Sequence, residues 1–238
     1  MAYARSKPTR NPDGSAVVLP SRTGAYGEAY VQAVAPPRFS LADEGSYFSA
    51  QNATFGTALT AHAAPAIADT DTKPFIHMFN AGPTSVWLDY IWLQGTIANA
   101  SATAVGWAAY VDAKGSTARS SGGTAITPVN VNAGSSNATA VTMYAGAVVA
   151  APTSSRRVMQ RTIRPYIGVA LDQYTFSFGN GVNSLNTAIL LASGVANIHT
   201  AAGPLMIPSG GNLMFCQISP SGAATAATFE FEVGWSER

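Results

Sequence analysis

The sequence predicts an all-β chain: an antiparallel β-sandwich or jelly roll with an extended N-terminal arm. Three observations predict it. From about residue 73 onward, short runs of β-forming residues alternate with turn residues. No stretch of about ten residues keeps a 3.6-residue apolar period between helix caps. Prolines 8, 12, 20, 36 and 37 keep the first fifty residues out of any helix interior or central strand.

The arm spans residues 1–50 and the body 51–238. Arg5, Lys7, Arg10 and Arg22 lie among the prolines, and Asn11-Pro12-Asp13-Gly14 is a turn signal. Tyr26, Tyr30, Phe39, Tyr47 and Phe48 are too many apolar rings for a purely solvated tail, so the arm is expected to order against a neighbouring subunit. The Ala-rich run 59–68 has helix-forming residues, but Pro65 interrupts it.

Within the body, residues 73–80 form the first strand, closed by Ala81-Gly82-Pro83-Thr84. In 86–97, Val86, Leu88, Tyr90 and Trp92 alternate with Trp87, Asp89, Ile91 and Leu93, which predicts a strand covered on both faces. Strands at 104–111, 124–131 and 138–149 follow, separated by Gly/Ser-rich stretches at 114–123 and 132–137. Further runs lie at 162–171, 174–178, 186–191 and 195–199. A turn on Ser209-Gly210-Gly211 leads into 213–218. In the final run Phe229, Phe231, Val233 and Trp235 point one way, and Glu230, Glu232, Gly234 and Ser236 the other. That period of two marks a strand with one buried face. No self-similarity at 20–50 residues is present, so solenoids and propellers are set aside.

Composition narrows the function classes. The chain has 238 residues, of which only 11% are charged, with 13 basic and 12 acidic residues. An ordinary soluble domain carries roughly 25%. A surface so poor in charge loses the repulsion that keeps monomers apart, so much of it is expected to be committed to protein–protein contact. Hydrophobics at 47% exclude a disordered polar chain. The near-neutral balance disfavours a nucleic-acid partner, which needs clustered Lys and Arg. No apolar stretch reaches the roughly 18 residues of a membrane helix, and the first ten residues carry no apolar signal-like run. Synthesis in the cytoplasm is the expectation, with no membrane partner.

Candidate chemistry is thin. His62, His77 and His199 stand in unrelated contexts, and Cys216 lies in an apolar strand where a thiol packs as a small hydrophobe. Asp69 and Asp71 lack the Gly and Glu that a calcium loop would place downstream. Glu230 and Glu232 share one strand, whereas a glycosidase pair faces across a cleft. Ser-nucleophile and phosphate-cradle motifs are missing. The triplets at Asn52, Asn99 and Asn137 match a glycosylation acceptor by chance in so Ala/Ser/Thr-rich a chain. The expectation is a non-enzymatic chain with no cofactor and no metal. One cluster stands out: Arg156, Arg157, Arg161 and Arg164 fall within nine residues, suited to bidentate pairing with carboxylates on a partner.

The tail Pro204-Leu-Met-Ile-Pro-Ser-Gly-Gly-Asn-Leu-Met-Phe215, its Ala/Thr-rich loop and the closing Phe229–Glu237 strand resemble jelly-roll structural proteins of tailed-bacteriophage virions. These include head decoration (cement) proteins and head fibres. The pattern covers roughly 73–238, with the motif-like part in the last 35 or so residues. The resemblance implies a virion protein that stabilises a capsid, with identical subunits (a homotrimer) and a major capsid protein as partners. Arg5, Lys7, Arg10, Arg22, Arg156, Arg157, Arg161 and Arg164 are then the expected partner-binding residues. Two alternatives are a jelly-roll coat protein of a small icosahedral virus and a glycan-binding fibre module. For the latter, Trp87, Trp92, Trp107 and Trp235 are candidate stacking rings, although their strand positions favour the core.

Overall fold

The computed structural model describes residues 22–23, 29–30, 37–52, 54, 59–60, 71–96, 105–113, 119–152, 154–164, 172–179, 187–190, 196–218 and 228–238. Contacts divide the chain into two units, Met1–Pro37 and Arg38–Arg238. In the first, β1 (Arg22–Thr23) and β2 (Ala29–Tyr30) form an antiparallel pair.

The second unit is an all-β sandwich. It opens with the end of a short helix, α1 (Pro37–Asp43), which starts on a proline whose missing N–H costs nothing at a first helical position. Gly45 ends it with φ of 71°: its N–H bonds the Ala42 carbonyl at 3.0 Å while the Ser46 N–H bonds Leu41 at 2.8 Å. This left-handed closure suits glycine, and a Cβ there would also collide with the Ser135 hydroxyl. The chain turns directly into β3 (Tyr47–Gln51).

The strands that follow are β4 (Leu59–Thr60), β5 (Ile76–Asn80), β6 (Val86–Gly95), β7 (Val105–Asp112), β8 (Arg119–Ile126), β9 (Val129–Asn130), β10 (Val141–Val149) and β11 (Arg156–Arg164). After them come β12 (Gln173–Phe178), β13 (Thr187–Leu190), β14 (Ala196–Ala202), β15 (Leu205–Ile207), β16 (Asn212–Ile218) and β17 (Thr228–Glu237). One sheet runs β11-β7-β16-β5-β10-β8, the other β13-β14-β12-β6-β17-β3-β9 with β15 on β6 and β4 on β17. The antiparallel pairs β3·β17, β5·β16, β6·β12 and β7·β11 nest inside one another along the chain. A long hairpin wrapped in this way into two sheets is a jelly roll. One pair departs from the antiparallel expectation: β12 and β14 run parallel.

The core lies between the sheets, around rings from both. Trp107 stacks on Phe215 with centroids 5.0 Å apart, and Phe75, Phe176 and Phe229 meet it edge-on. Full burial of each such side chain contributes about 1.5–3 kcal/mol. A second buried cluster holds Ala108, Tyr110, Met214, Cys216 and Ile218, the alternate residues of β7 and β16. The six-stranded sheet is thus buried on both faces there, which accounts for the unbroken apolar run of β16.

Three sequence expectations need correction. The body begins at Arg38 rather than at residue 51, because α1 and β3 pack into it; Phe48 stacks on Trp235 of β17. The 124–131 run is two strands, broken at Thr127-Pro128. In β6 the simple alternation fails. Leu88 pairs with Trp235 and Tyr90 with Gly234, so Asp89 is an extra residue, a β-bulge. The bulge switches phase: Val86, Leu88, Ile91 and Leu93 all face the core, while Trp87, Tyr90 and Trp92 face outward. One face of β6 is aliphatic and the other aromatic and polar.

Candidate functional site

That outward face carries amide, carboxylate, hydroxyl, imidazole and aromatic groups side by side. The register aligns three cross-strand rows on the nine-stranded sheet. The first is Asn197, Gln173, Gln94 and Glu230; the second is His199, Thr175, Trp92, Glu232 and Gln51. The third is Ala201, Ser177, Tyr90, Gly234 and Ser49. Directly opposed side chains stand close enough to interact, so each row is a strip of adjoining groups.

Gly234 shapes the middle of this face. Its position lies beneath the Tyr90 ring and the Tyr47 hydroxyl, and an added Cβ would overlap both. With no side chain in the way, Tyr90 reaches across to donate its hydroxyl proton to Glu232 Oε1. Gly234→Ala is expected to cost about 1–3 kcal/mol, as overpacking does. Urea denaturation measures it, and an unchanged midpoint would show that the ring is not seated there.

A second anchor sits beside the first. Tyr47 Oη donates to Asp89 Oδ2 at 2.7 Å, and Arg38 Nη2 meets Asp89 Oδ1 at 2.5 Å. Asp89 is 12% exposed, so its charge is held by Arg38 and by the tyrosine. The bulge makes this possible by bringing Asp89 to the helix α1 side chain. Burial, reinforced by the Asp89 hydrogen bond and charge, raises the Tyr47 pKa well above its usual 10; burial and Glu232 do the same to Tyr90. Because the folded-state values are raised, their contribution to stability is whole below pH 10 and is lost as the unfolded chain ionises above it. Absorbance at 295 nm should show Tyr47 and Tyr90 among the tyrosines still protonated near pH 11 in the folded chain, and Tyr47→Phe should lower that number by one. A full tyrosinate count at that pH would contradict this.

Next to this anchor the surface turns apolar. A shallow pocket of ≈ 310 Å³ is lined by Arg38, Tyr47, Trp87, Asp89 and Pro204, among others. A second of ≈ 420 Å³ is lined by Ser154, Arg156, Val158, Met206 and Pro208. Pro204 and Leu205 belong to both. Trp87 and Met206 are a cross-strand pair, 42% and 41% exposed, and Val158 is 52% exposed. Together they form an apolar stripe flanked by Arg38 and Arg156.

The arginine cluster is an edge strand. Among the described residues β11 pairs with β7 alone, and Arg156, Arg157 and Arg161 are exposed along it. Arg161 Nη1 bonds the carbonyl of Gln160 at 2.9 Å. Arg164 lies on the same strand, and its side chain is outside the described residues, as is that of Arg22 on β1. Arg5, Lys7 and Arg10 fall outside them altogether. The four tryptophans divide: Trp107 and Trp235 are core, Trp87 and Trp92 reach the surface. Sequence pattern alone missed that division because the bulge at Asp89 carries no local signal.

Two histidines have defined roles. His77 Nε2 contacts Asn212 Oδ1 at 3.1 Å inside the buried outer layer of the six-stranded sheet. Ser177 Oγ and His199 Nε2 lie 2.7 Å apart. The strand neighbours of His199 are Thr175 and Thr187, neither of which is a carboxylate able to orient the ring for base catalysis. His62 falls outside the described residues. Among the described residues no three His, Cys, Asp or Glu side chains group closely enough to hold a metal ion, and no helix is long and apolar enough to cross a membrane. The chain matches no protein-family model, no characterised protein and no solved structure.

Proposed function

We propose that this chain is a non-enzymatic structural virion protein that self-associates as a symmetric oligomer and reinforces a phage capsid. The observation that carries the proposal is the apolar stripe of Trp87, Met206 and Val158 on a sandwich with so few charges. Exposed apolar side chains placed side by side and rimmed by arginines mark protein contact surfaces. The jelly-roll body fits the resemblance of its tail to phage head proteins, and the shallow pockets fit a flat protein partner better than an enclosed small substrate.

The test is expression of the full chain, light scattering at micromolar concentration, and electron microscopy of the product. Discrete oligomers that add to preformed capsids are expected. A dispersed monomer that leaves capsids bare would overturn the proposal, and closed empty shells would replace it with the coat-protein reading. A glycan-binding fibre module is the second reading, favoured by one observation: the amide row Asn197, Gln173 and Gln94 runs beside Trp92. Glycan-array binding abolished by Trp92→Ala would support it.

A further inference from the structure

We propose that two separate surfaces of this chain are the halves of one interface: the arginine edge β11 of one copy seats on the carboxylate–aromatic outer face of the nine-stranded sheet of the next. The inference rests on the self-association reading and names its surfaces. Charge complementarity carries it. Arg156, Arg157, Arg161 and Arg164, four of the 13 basic residues, lie on a single strand. Glu230 and Glu232, two of the 12 acidic residues, lie on a single face, and Asp89 stands at the β6 bulge near Tyr90 of that face.

The chemistry of that face selects a guanidinium. Glu232 is the direct cross-strand neighbour of Trp92, and Tyr90 adjoins them in the next row. A carboxylate beside an aromatic ring offers bidentate hydrogen bonds and a stacking surface together, which arginine uses and lysine does not. Asp89 already holds one arginine, Arg38, so the face is demonstrably able to take this group.

The edge has its own need for cover. Among the described residues β11 pairs with β7 only, and the outer side of such an edge strand is a surface that proteins commonly cover. Edge and face are different surfaces, on different sheets. A contact between them is head-to-tail, and a head-to-tail contact that closes gives a ring of identical subunits.

Sedimentation velocity on the full chain tests the proposal. Wild-type oligomer should dissociate as NaCl rises from 0.05 to 0.5 M. Reversal of the edge (R156E/R157E/R161E) or of the face (E230K/E232K) should each weaken association by at least about tenfold. All five reversals in one chain should restore it, since the two halves are again complementary. Circular dichroism melts confirm that each variant is folded, and neutral R156Q/R161Q serves if the reversed edge misfolds, with a smaller loss expected. An oligomer indifferent to salt and to every reversal overturns this interface while leaving self-association intact. A wild-type monomer overturns both, and means that the arginines only guard the strand edge. Glycan binding by Glu232 and Trp92 with an unchanged oligomer also overturns it, because the face would then be open.

Discussion

Replacing Trp107 by alanine is expected to destabilise the sandwich by about 3–5 kcal/mol, the cost of an emptied aromatic site in a core. The size follows from where the ring sits. Trp107 is fully buried, stacked at 12° on Phe215 of β16 and met edge-on by Phe176 of β12 and Phe229 of β17. Two of these strands belong to the sheet opposite its own, so the indole ties the layers together. For a body of this length the loss corresponds to a drop of roughly 6–20 °C in Tm. Trp107→Phe should be far milder, because the indole Nε1 has no hydrogen-bond partner among the described residues and phenylalanine forfeits none. Trp87→Ala, at a half-exposed ring, should stay within about 0.5 kcal/mol. Urea unfolding of the three variants decides it. Equal midpoints for Trp107→Ala and Trp87→Ala would mean that the core has been misplaced.

Truncation should separate the two units sharply. Removal of residues 1–37 leaves α1 almost whole and β3 intact, and the remaining body should melt cooperatively close to the full chain. Removal of 1–50 takes Leu41, Phe48 and Ala50 out of the core and strips β17 of the neighbour that pairs with Val233 to Ser236. Loss of Phe48 alone should cost about 3–5 kcal/mol, and the unpaired edge of β17 adds to it. The total approaches the whole stability of a typical domain, about 5–15 kcal/mol, so this chain should fail to fold cooperatively. Comparable melting curves for the two truncations, by circular dichroism, would show that β3 is dispensable. The contrast has a practical consequence: particle incorporation should be compared with the 1–37 deletion, which removes Arg5, Lys7, Arg10 and Arg22 and keeps every strand from β3 onward.

The all-β class was legible in the sequence because it is a local property. Period-two alternation in 228–237, turn glycines at 210 and 211, and prolines across 1–37 each act over a few residues. The same holds for the charge economy, which separates the arginine run 156–164 from the Glu230/Glu232 face by long uncharged strands. Tertiary structure decided what these features adjoin. Nothing near Asp89 announces a bulge; the extra residue exists only because β17 pairs with β6 in a register that skips it, and that skip turns Trp87, Tyr90 and Trp92 outward. Nor does the local sequence show that Tyr47–Gln51 belongs to the sandwich, since the strand gains its place from β17, nearly two hundred residues away. Likewise the arginines read as an isolated run until β11 is seen to end a sheet. Alternation and turns are written in neighbouring residues, whereas register and edges are set by partners distant in the chain, and the surfaces proposed for function come from register and edges.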